Sequence, residues 1–144
     1  MKKSIILFLI SVLFIPACGF GAKNSVRIGD KMVAVEIAKS DEEKSTGLMW
    51  REYLEEDTGM LFIWEDQKQR SFWMRNTLIP LDIIFIGKDK KIINIEIAEP
   101  CKKKVCDSYK SEKPAQYVLE VDKGWSEKND IKPGISVDFN LANN

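Results

Sequence analysis

The chain of 144 residues has no histidine and only three cysteines, and its 22 lysines and arginines are matched by 22 aspartates and glutamates. Without histidine there is no Ser-His-Asp or Cys-His catalytic group, no imidazole metal ligand and no ordinary proton shuttle near neutral pH. Any chemistry must run on carboxylates, lysine, tyrosine or thiols. The lack of net charge removes the electrostatic case for nucleic acid or an acidic partner, and the length suits one domain of ordinary size.

One long apolar run is present. Lys2 and Lys3 precede it, it extends from Ile5 to Ile15, and Pro16-Ala17-Cys18-Gly19 ends it. A basic start, roughly a dozen apolar residues and a small residue at the end form the pattern of an export signal. The run is too short for a spanning helix, which needs about 20 apolar residues. Residues 1–17 are therefore read as a signal peptide. Ile15-Pro16-Ala17-Cys18 resembles the bacterial lipobox, which implies cleavage before Cys18 and acylation of that cysteine. Burying acyl chains is worth about 0.8 kcal/mol per methylene, and two or more chains make a stable anchor. Gly19 in place of aspartate does not request inner-membrane retention. The chain is thus expected to be exported and lipid-anchored to the bacterial cell envelope, at the outer membrane or periplasmic face. Residues 18–25 would supply the lipidated cysteine and a short tether, and residues 26–144 a single β-rich domain. The mature chain would be mildly acidic, since the signal removes two lysines and no acid.

With Cys18 lipidated, Cys101 and Cys106 remain as an even pair inside Pro100-Cys-Lys-Lys-Lys-Val-Cys-Asp107. In an exported chain the simplest reading is a disulfide closing a small loop. A metal site has less behind it, because two thiolates fill half of a tetrahedral shell and no histidine completes it. A redox pair would more often be spaced Cys-x-x-Cys.

The mature domain reads as strands. Val26–Ile28 and Met32–Ala38 flank a Gly29-Asp30 turn, and further β-rich runs follow at Gly59–Trp64, Ser71–Met74, Leu81–Ile86, Ile92–Ile97, Tyr117–Val121 and Ser136–Leu141. Ser40-Asp-Glu-Glu43 has capping-box spacing and predicts one short helix that stops at Gly47. Many short strands with turn signals and one helix predict a mostly β (α+β) fold, a single small barrel-like β domain with one short helix.

Five segments appear in one order: Gly47-Leu-Met-Trp-Arg51, Gly59-Met-Leu-Phe62, Phe72-Trp-Met-Arg-Asn-Thr77, Ile79-Pro-Leu-Asp82 and Val118-Leu-Glu120. Together they resemble domain-of-unknown-function family 192, a set of small, mostly β proteins that often carry export or lipoprotein signals. The match runs from about Val33 to Phe139. It implies a fold and no activity.

The apolar residues of these segments are of the kind that build a core, and Asn76-Thr77 before a proline bend suits turn chemistry. The polar members give a candidate ligand site of Arg51, Trp73, Arg75, Asn76, Asp82 and Glu120. Arginine pairs with anionic groups, tryptophan stacks on a ring, and asparagine reads an amide or hydroxyl. A binding module for a small ligand or an envelope partner, with no cofactor and no nucleic acid, is the preferred expectation. Asp82 with Glu120 is the carboxylate pair that a hydrolase would use. Met49, Met60 and Met74 offer soft thioethers for Cu(I), although methionine is also a routine core filler. A structural scaffold that offers a sheet edge to another envelope protein is the remaining alternative.

Overall fold

The computed structural model describes residues 24–142. The signal peptide, Cys18 and most of the tether lie outside the described residues. The described chain begins with β1 (Ser25–Ile28), which starts at the last residue assigned to the tether, and turns at Gly29 into β2 (Lys31–Ala38). Helix α1 (Asp41–Thr46) follows, with the predicted capping box in place: Ser40 Oγ accepts the Glu43 N–H, and the Glu43 carboxylate accepts the Ser40 N–H. Gly47 ends the helix with its N–H on the Glu43 carbonyl and a φ of +50°, a conformation that costs glycine little. The long β3 (Thr58–Lys68) and short β4 (Ser71–Trp73) come next, then β5 (Leu81–Ile86), β6 (Ile92–Ala98), β7 (Ser108–Lys110) and β8 (Ala115–Asp122). A second short helix, α2 (Trp125–Lys128), and β9 (Val137–Asn140) complete the described order. No helix among the described residues is long and apolar enough to cross a membrane.

Seven strands form one sheet in the order β6-β5-β8-β3-β2-β1-β9, while β4 and β7 pair as a separate ribbon. The pairings in the large sheet are antiparallel except β2 with β3, which run parallel and are joined by the crossover that carries α1. The sheet curls until its two edges touch at one corner. There the Ile92 N–H bonds the Ile135 carbonyl, Gly134 donates to Ile92, and Val137 donates to Lys90. The expected barrel is therefore a half-barrel closed at one corner, with two helices where one was predicted.

Curling gives the sheet two different faces. All seven strands contribute to one apolar cluster on the concave side, including Val26, Val33, Leu61, Ile84, Leu119, Ile92 and Val137, and Trp125 and Ile131 add to it. The convex face of β3, β5 and β8 carries a second cluster of Met60, Phe62, Leu81, Ile83, Phe85 and Val118. Leu48, Met74 and Ile79 cover it from the loops, with Phe72 and Tyr109 from the ribbon. Cys101 and Cys106 are joined by a disulfide with Cα atoms 5.6 Å apart, as the spacing predicts. The Cys101 N–H bonds the Met74 carbonyl and ties this loop to the end of β4.

Candidate functional site

Strand β8 alternates Leu119 and Val121 into the concave cluster with Val118 and Glu120 onto the convex face. Glu120 is opposite Met60 of β3 and Ile83 of β5, so a carboxyl occupies a place in an apolar row. It is 5% exposed, and no hydrogen bond or ion pair to its carboxylate is present among the described residues. Burial alone pushes its pKa up to about 8, because the charged form loses its water without gaining a partner.

The crossover after α1 passes over this carboxyl at Gly47. A Cβ at Gly47 would lie 3.2 Å from Phe62 Cζ and 3.9 Å from Glu120 Oε2, so the glycine lets the crossover pack close over the ring, where a side chain would be crowded. The result is a narrow cleft of about 30 Å³ with Glu120, Phe62, Phe72, Trp73, Thr77 and the segment 44–49 in its wall. Phe62 and Phe72 meet edge to face at 5.0 Å between centroids, and Phe72 meets Phe85 in the same way at 5.9 Å. These contacts fix the ring wall. Trp73 is half exposed at the mouth, and the Arg75 guanidinium lies 5.5 Å from its ring centroid. Thr77 is 7% exposed and also lines the cleft.

Of the six residues expected to bind a ligand, Trp73 and Glu120 line this cleft, and Arg75 reaches its rim. Asn76 is exposed and has a backbone role. It takes a φ of +59° in the turn closed by the Thr77 N–H on the Met74 carbonyl, and its own carbonyl accepts the Trp50 N–H at 2.8 Å. Asparagine tolerates that conformation better than most residues. Arg51 is elsewhere, 2.6 Å from Glu36 Oε2 beside an open groove of about 530 Å³ that Trp50 and Tyr53 also line. Its hydrogen bond to Glu36 holds the guanidinium pKa above the ordinary value.

Asp82 is the clear departure. Its cross-strand partner is Val121, whereas Glu120 is paired with Ile83, so the two carboxylates project from opposite faces of the sheet. Asp82 Oδ1 accepts the Gly124 N–H at 3.1 Å and Oδ2 accepts the Ser126 N–H at 2.8 Å, which secures the start of α2. The carboxylate-pair hydrolase is therefore corrected: the sheet itself separates the two groups. Met60 and Met74 are buried in the convex cluster and Met49 is in the cleft wall. Sequence reasoning omitted Gly47, Phe62 and Thr77 as site residues, although all three stand in the segments that carry the family resemblance.

These features define a small half-barrel β domain with a carboxyl-floored cleft on its convex face. The chain belongs to the DUF192 family, described as uncharacterized ACR, which matches residues 24–139. It is similar to a crystal structure of a protein of unknown function from Novosphingobium aromaticivorans DSM 12444, at 34% identity and a TM-score of 0.73, over 81% of this chain and 83% of that one. It is also similar to a Sinorhizobium meliloti 1021 protein provisionally described as a transcription regulator, at 30% identity and a TM-score of 0.73, over 81% of this chain and 92% of that one. No curated protein matches.

Proposed function

We propose that the protein is a lipid-anchored module of the bacterial envelope that binds a small ligand, or an exposed group of a partner, in the cleft over Glu120. The observation that carries this reading is the unpartnered carboxyl. An ionisable group held away from water costs several kcal/mol unless something pairs with it, and such groups concentrate at functional sites. Asp82 illustrates the contrast, since its burial is explained by two backbone donors. Glu120 has no such internal reason. Apolar walls with a few convergent polar groups, here Glu120 and Thr77, are the usual design of a ligand site.

Glu120→Gln keeps the shape and removes the capacity to ionise, which makes it the discriminating variant. A panel of amines, saccharides and nucleotides is screened by thermal shift and by NMR. A compound that stabilises the wild type is expected to lose at least tenfold in affinity with Glu120→Gln. Equal affinity for both proteins would place binding elsewhere.

A further inference from the structure

We propose that the group received by the cleft over Glu120 is a primary ammonium, the tip of an aliphatic amine. This rests on the cleft reading above and names its ligand class.

Size is the first argument. A volume of about 30 Å³ suits a slender methylene-ammonium tip better than a sugar ring, a base or a quaternary ammonium. Hydrogen-bond chemistry is the second. An ionised carboxylate is an acceptor without donors, and among the described residues no protein N–H or O–H reaches that of Glu120. Three N–H donors on a compact cation are its complement, and the hydroxyl oxygen of Thr77 in the same wall is a second acceptor. The rings of Phe62, Phe72 and Trp73 are the third, because they offer apolar surface to the aliphatic stem of an amine.

The charged groups nearby leave the position open. From α1, Lys44 is in the wall, but its ammonium is 3.9 Å from Asp41 Oδ1 and 5.4 Å from the Trp64 ring centroid. From the turn after β4, Arg75 is exposed at the rim over Trp73. The segments of β3, β4 and β8 in the wall contribute no charge other than Glu120 itself.

Entry of the cation favours the ionised carboxyl, so the proton on Glu120 leaves to solvent as the ammonium arrives. One positive charge enters and one departs. With the free carboxyl titrating at about 8, its ionised share rises from about a tenth at pH 7 to about nine-tenths at pH 9. An alkylammonium stays charged over that interval, so its affinity should climb about tenfold.

The test uses the full chain with n-butylammonium and 1-butanol as probes of equal length. Binding is followed by NMR of carboxyl-labelled glutamate at pH 7 and 9. The expected result is butylammonium binding that strengthens about tenfold with pH, a lowered titration midpoint for Glu120, no comparable effect of butanol, and loss in Glu120→Gln. Equal binding of butanol, or no pH dependence, would overturn the proposal. A neutral polyol or saccharide that binds and is lost in Glu120→Gln would overturn the amine class while leaving the cleft reading intact. Absence of any Glu120-dependent ligand would overturn both.

Discussion

Glu120 and Asp82 are both nearly inaccessible, at 5% and 2% exposure, yet they affect the fold in different ways. Asp82 accepts two backbone N–H groups, each charge-assisted bond contributing about 1.5–3 kcal/mol. Glu120 gains nothing when it ionises in the native state. Its native pKa of about 8 is above the ordinary 4.5, so the folded protein keeps a proton that the unfolded chain has lost across this interval. The stability contributed by that proton is complete below about pH 4.5 and disappears as pH rises through about 8. At roughly 1.4 kcal/mol per pH unit, the wild type should lose about 3 kcal/mol relative to Glu120→Gln between pH 5 and 8. Urea unfolding at the two pH values reads this difference. Parallel pH profiles for the two proteins would show that Glu120 is not desolvated.

At the level of elements, the corner where β6 and β9 meet is held by three backbone bonds, involving the amides of Ile92, Gly134 and Val137. The middle strands β5 and β8 are paired on both sides. Hydrogen exchange should therefore find the three corner amides less protected than those at the centre of β5 and β8. Uniform protection would mean that the curled sheet opens only as a whole. The major strands and α1 were legible in the sequence, because β-branched runs, turn residues and the Ser40–Glu43 box act locally. Two short elements were not. Ser108-Tyr-Lys110 has too little apolar pattern to signal β7, and α2 has no side-chain cap of its own because its amides are held by Asp82, 42 and 44 residues away. The strand Leu81-Asp-Ile-Ile-Phe-Ile86 is buried on both faces, so its sequence does not alternate and could not say which side Asp82 takes. That is why Asp82 and Glu120 looked like a pair. The site was legible at Glu120, where a polar residue interrupts an apolar row, and at Trp73, an aromatic residue in the segment that carries the family resemblance.

At the scale of the whole molecule, the described chain begins and ends at one place: the Asn24 side-chain carbonyl accepts the Ala142 N–H at 2.8 Å. A tether entering at Asn24 would hold the domain by that end, which suits the proposed lipid anchor. The native protein, extracted from membranes, should give an intact mass equal to residues 18–144 plus diacylglycerol or a triacyl group on Cys18. An unmodified Cys18, or a different first residue, would dismiss the anchor. The sheet order has a further consequence for how the molecule is made. Strands β2, β1 and β9 join the other four through the single parallel pair β2–β3 and the corner contact, and β1 has only β2 as a neighbour until β9 exists. Strand β9 is the last of the described strands to be synthesised. Completion of the sheet must therefore wait until Val137–Asn140 has been made, and until then β1 lacks its second neighbour and the corner with β6 stays open.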